Sequence, residues 1–177
     1  MSPFSFGILL LLVSFILDVV LAPHFRAMGV QPDLVLLFVV CYALVEDSLV
    51  GSAIGFFGGL LEDLASTGVV GLNAFTKTLV GYLSGLLDHR VSKWMFFPLV
   101  VVFIATIFNE LAFEGLLFLL GERVPFTKAF FRIVLPVAIY NSLLAPLVYS
   151  LIKRIFLRES QVPSFRLDEK AFKIKEK

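Results

Sequence analysis

The chain has 177 residues, 59% hydrophobic and 16% charged, with 15 Lys and Arg against 14 Asp and Glu and a mean hydropathy of +0.95. A soluble domain of this size has no core large enough for so many long apolar runs, which excludes a soluble globular protein and predicts an all-α polytopic membrane protein. The runs are continuous rather than alternating, so a transmembrane β-barrel is disfavoured. The lone Cys41 excludes an intrachain disulfide and reads as a small buried hydrophobe.

Candidate spans fall at about 4–22, 33–46, 49–64, 69–87, 94–120 and 131–152. They predict a compact six-helix transmembrane bundle over residues 1–153, followed by a basic tail over 154–177. No Lys or Arg precedes the first apolar run, so it reads as a retained span rather than a signal peptide. Asp18 lies two-thirds along this span, where it either reaches the headgroups or is buried for a purpose. Pro32-Asp33 starts the second segment, with proline as a rigid opening and Asp33 favouring the positive helix end. At 1.5 Å per residue the second and third segments reach only ~21–24 Å, so they either cross a locally thinned bilayer or turn back as a re-entrant pair.

Gly51, Gly55 and Gly59 recur every fourth residue along the third segment, a face that lets another backbone approach closely. Glu62-Asp63 closes that segment, and a connection containing Gly68 and Gly71 leads to Asn73, which is placed to cap the fourth helix. Lys77, Gly81 and Gly85 continue the four-residue spacing, with Tyr82 beside Gly81. Lys77 either snorkels to the interface or pairs across the bundle with Glu110 or Glu114.

Glu110 and Glu114 share one face of the fifth segment, with Asn109 beside them. That face is costly against lipid, so it serves a helix or subunit contact, handles a ligand or proton, or belongs to an interfacial loop beyond the true helix end. In the last segment Asn141 sits between Pro136 and Pro146, available to a neighbouring helix or to a carbonyl freed by a bend.

From Lys153 onward the chain carries eight of its 15 basic residues, so the positive-inside rule places this end in the cytoplasm. Counting back through six spans puts Arg90, Lys93 and the N-terminus on the same side. His24 and His89 are far from Cys41 and from each other in sequence, and neither a phosphate-binding glycine loop nor a hydrolase motif is present, so neither a cofactor nor catalysis is expected. The tail reads as a solvated or docking segment with attraction for anionic lipids, and no nucleic-acid partner is expected.

The stretch GFFGGLLEDLASTGVVGLNAFTKTLVGYLSG, residues 55–85, resembles the central signature of the bacterial rod shape-determining MreD family. The recurring motif falls on Pro32, Asp33, Gly59, Asp63, Gly71, Leu72, Asn73, Gly81 and Tyr82, while the family frequently has a small or apolar residue where Glu62 stands. The resemblance implies a noncatalytic multi-pass protein of the bacterial inner membrane, supporting rod shape and lateral peptidoglycan synthesis. It implies contact with MreC and, within the same elongation assembly, with MreB, RodA and its transpeptidase partner. Gly55, Lys77, Glu110, Glu114 and Asn141 join the motif positions as expected sites of helix packing or partner contact. The alternative is a small-ligand-binding subunit of a transporter, motivated by the polar residues within a compact bundle; the expected fold also resembles the six-helix substrate-binding subunits of energy-coupling factor vitamin transporters, an analogy that does not itself assign transport.

Overall fold

A computed structural model describes residues 3–21, 30–87, 96–122 and 130–159. His24, Arg26, His89, Arg90, Lys93 and the tail beyond residue 159 lie outside the described residues, as does most of the evidence for which side each end faces. The described chain forms α1 (Pro3–Leu21), α2 (Leu34–Ala43), α3 (Ser48–Ala65), α4 (Leu72–Gly85), α5 (Phe97–Leu119) and α6 (Leu135–Glu159). A π-helical turn over Phe130–Val134 runs into α6.

Three stretches, Ser48–Ala65, Phe97–Leu119 and Phe130–Ile155, are long and apolar enough to cross a membrane. Of the other helices α1 has 19 residues, α4 has 14 and α2 has ten, and α2 departs most from expectation. Its ten residues rise ~15 Å, about half of a bilayer's ~30 Å hydrocarbon thickness, where the apolar run 33–46 had suggested a longer element. The run is cut short because Val45 and Glu46 both donate to the Tyr42 carbonyl, closing a turn before Asp47 caps α3 by accepting from Val50 N at 2.8 Å. Its sequence, LVLLFVVCYA, has no charged residue, and every residue from Val35 to Ala43 is buried. Helix α2 is the axis of the bundle, packed against all five others.

Helices α3 and α4 form the tightest pair. The two four-residue repeats meet in antiparallel register, Gly51 against Gly81, Gly55 against Lys77 and Gly59 against Asn73. A Cβ added at Gly51 would lie 2.6 Å from the Gly81 carbonyl oxygen, and one at Gly59 would run into the backbone of Asn73 and Ala74. Only glycine permits this spacing.

Helix α5 ends in a Schellman motif, with Gly121 at φ 91° donating to Phe118 O and Glu122 donating to Leu117 O. Pro136 stands in the first turn of α6, where it has no N–H to return to the preceding residues, and the chain just before it is π-wound. Pro146 lies within α6 itself.

Candidate functional site

The N-terminus of α2 has backbone N–H groups that the helix cannot satisfy, and three helices converge on it. Asp33 accepts from Leu36 N at 2.7 Å as the helix's own cap, while Asp18 of α1 accepts from Leu34 N at 2.8 Å. Ser14, also on α1, donates to Leu34 O at 2.8 Å. Asn141 of α6 accepts from Asp33 N at 3.0 Å and passes its amide hydrogen to Thr106 Oγ1 of α5 at 3.4 Å. Buried Pro32 sets the chain's entry to this point.

Lys77 enters the same place from α4. Its side chain is 1% exposed, and its ammonium lies 2.9 Å from Asp33 Oδ2, 2.6 Å from Glu62 Oε2 and 3.5 Å from Asn73 Oδ1. An ammonium has three N–H donors, and here each has an acceptor. Of the two readings open for Lys77, snorkelling to the interface is not what is found, because the side chain is sealed inside the bundle. Its ion pairs go to Asp33 and Glu62 rather than to Glu110 or Glu114. With Asp18 and Glu62 included, one polar cluster joins all six helices.

Asp63, next to Glu62, turns the other way. It is buried and accepts four hydrogen bonds, from Gly71 N at 2.8 Å, Asn73 N at 3.1 Å, Asn73 Nδ2 at 3.0 Å and Ala74 N at 3.0 Å. These fill the acceptor sites of a carboxylate. Gly71, at φ 103°, occupies the capping position in a left-handed conformation that favours glycine, and no side chain at that position caps the helix. Asn73 therefore does not cap α4 as its position suggested; Asp63, eight to eleven residues upstream of its partners, does so. Asn73 instead bridges, with its amide nitrogen on Asp63 and its oxygen facing Lys77.

The Glu110–Glu114 pair stands at the edge of this cluster, within α5 rather than in a loop beyond it. Asn109 Nδ2 donates to Glu110 Oε1 at 3.4 Å, and Glu110 lies within electrostatic reach of Asp33, Lys77 and Glu114. Glu114 is buried. Gly55, Gly59 and Gly81 line the α3–α4 contact, and Tyr82 faces outward at the bundle surface. Among the described residues no group of His, Cys, Asp and Glu is arranged to hold a metal ion.

Sequence reasoning missed the part played in this cluster by Glu62, Ser14 and Thr106, and for Asp18 it offered burial as one of two readings. One signal for Glu62 was available: alternate helices run in opposite directions, so the start of α2, the end of α3 and the second turn of α4 share one level.

The cluster and the glycine-lined hairpin carry most of the motif positions of the 55–85 signature, and the match to known families extends well beyond that stretch. No curated protein and no solved structure matches the chain. The family described as rod shape-determining protein MreD matches over residues 1–159. The chain, a membrane protein with helices able to span the bilayer, belongs to the MreD family of rod shape-determining proteins.

Proposed function

We propose that this protein is a noncatalytic scaffold of the bacterial elongation machinery, supporting rod shape and lateral peptidoglycan synthesis by holding membrane partners together. The family match over residues 1–159 carries this reading. The geometry supports it: the polar residues around Asp33 and Lys77 hold six helices to one another, as suits a rigid platform presenting its outer faces to other proteins. The partner expected to make direct contact is MreC, with MreB, RodA and its transpeptidase partner in the same assembly. All six helices cross the inner membrane in this reading, and both chain ends face the cytoplasm.

The test is purification of the tagged chain from its native membrane in mild detergent. MreC and the wall synthases are expected with it at fixed ratio. Recovery of the intact, folded chain without any elongation component would overturn the proposal.

A further inference from the structure

The cluster gathers more acidic side chains than cations. Asp18, Asp33, Glu62 and Glu110 come from four helices toward a single ammonium, and the three N–H groups of Lys77 are already directed at Asp33, Glu62 and Asn73. Lys77 is sealed, whereas Asp33 and Glu62 keep 18% and 15% of their side-chain surface. The carboxylates, not the ammonium, keep what exposure remains.

A second observation lies on α5. Asn109 and Glu114 are 2% and 7% exposed, yet among the described residues Asn109 Oδ1 and Glu114 Oε2 have no hydrogen-bond partner. The Asn109 amide donates to Glu110, which sets its orphaned oxygen beside the Glu110 carboxylate. Glu114 is one turn further along the same face, and helical side chains lean toward the N-terminus, so its carboxylate leans back over Glu110. Buried acceptors in native proteins find donors, and here two on α5, flanking Glu110 in sequence, lack them among the described residues.

We propose that this wall of α5 receives a guanidinium group, carried by an arginine of a membrane protein partner. The acceptors on offer are the carboxylates of Glu110 and Glu114 and the Asn109 oxygen, more than the three donors of an ammonium match. A guanidinium supplies five N–H donors in a planar fork and stays charged when desolvated. Within a membrane an arginine needs such a seat as much as the carboxylates need a cation. Both orphaned oxygens are covered in the free protein, so entry moves α5 side chains, a rotamer change of the kind common at interfaces. The inference rests on the reading that the protein works through protein contacts, and deepens it by naming what one contact recognises.

The full-length chain in lipid nanodiscs is titrated with agmatine, a four-carbon chain bearing a guanidinium at one end and an ammonium at the other, and with putrescine, the dication of the same chain length that has an ammonium in place of the guanidinium, reading the unfolding midpoint. Agmatine is expected to raise the midpoint saturably and putrescine much less. Glu110→Gln and Glu114→Gln are each expected to weaken agmatine about tenfold, in line with the loss of one charge-assisted hydrogen bond. Glu46→Gln, in the turn between α2 and α3 at the opposite end, should leave it unchanged. The same α5 variants are expected to lower recovery of the elongation partners. No agmatine response in the unsubstituted chain, a comparison that needs no variant, overturns the site. Agmatine binding with partner recovery unaltered in both variants overturns the protein as the source of the guanidinium. Agmatine binding by a chain that recovers no partner at all supports the site and sinks the scaffold reading.

Discussion

At Lys77 a single side chain answers acceptors from two other helices and one from its own, and little water reaches it. Replacing it leaves Asp33 and Glu62 facing each other in an apolar interior without a counter-charge. Removing one member of a buried pair typically costs ~3–5 kcal/mol because the other is left uncompensated, whereas removing the whole set is far cheaper. Lys77→Met is accordingly expected to lower the unfolding midpoint in nanodiscs sharply, and Asp33→Asn with Glu62→Gln in the same chain should restore part of the loss. A triple variant no more stable than Lys77→Met would show that the ions do not act on one another. Asp63 is a second test at this scale. Asparagine in its place swaps an acceptor oxygen for a donor pointed at backbone N–H groups. The loss of hydrogen bonds to a charged acceptor, each worth ~1.5–3 kcal/mol, is expected to loosen the start of α4. Hydrogen exchange at Gly71, Asn73 and Ala74 would report it directly.

Among the elements, the α3–α4 hairpin is where the backbone itself is the packing surface. A side chain at Gly59 meets the Asn73 carbonyl and Ala74 nitrogen, which belong to a helix and cannot swing aside, so Gly59→Leu is expected to cost at least the ~1–3 kcal/mol usual for overpacking. Gly115 on α5 is the internal control, because nothing lies within 4 Å of a Cβ placed there. Gly115→Ala should be neutral or stabilising by up to ~1 kcal/mol through helix propensity. Comparable losses from both substitutions, measured by thermal melting, would mean that glycine spacing is not what holds the hairpin. This contact was legible in the sequence, since two four-residue repeats flank one short connection. The ion cluster was legible only in parts. Asp33, Lys77 and Asn141 stand out as polar groups in or at the ends of apolar runs, but Glu62 reads as an ordinary helix end, and Asp63 makes its bonds eight to eleven residues away. Hydropathy also overran α2, because Leu44 and Val45 stay apolar after the helix has stopped.

For the whole molecule, the centre is thinner than its flank. Helix α2 rises ~15 Å and α4 ~21 Å, while α5 and α6 rise ~35 and ~38 Å, all at 1.5 Å per residue. The long helices accommodate a bilayer by tilting, but the core helices cannot lengthen. They are pinned at one level by the Lys77 cluster and at the other by the close approach of Gly85 to Ser48. In the proposed six-crossing arrangement the surrounding membrane has to thin toward the α3–α4 face, whose outward residues Leu64, Phe75 and Tyr82 are exposed. Mismatch costs fractions of a kcal/mol per Å, so the effect accumulates over several ångströms. The protein is expected to melt highest in bilayers of short monounsaturated lipids and progressively lower as the acyl chains lengthen. Glu62→Gln should lower the whole curve without moving its optimum, because it weakens the pin without changing any helix length. A midpoint that rises steadily with chain length would instead mean that α2 and α4 are shielded from lipid thickness by α5 and α6, leaving the bundle to present a full-width surface to the bilayer.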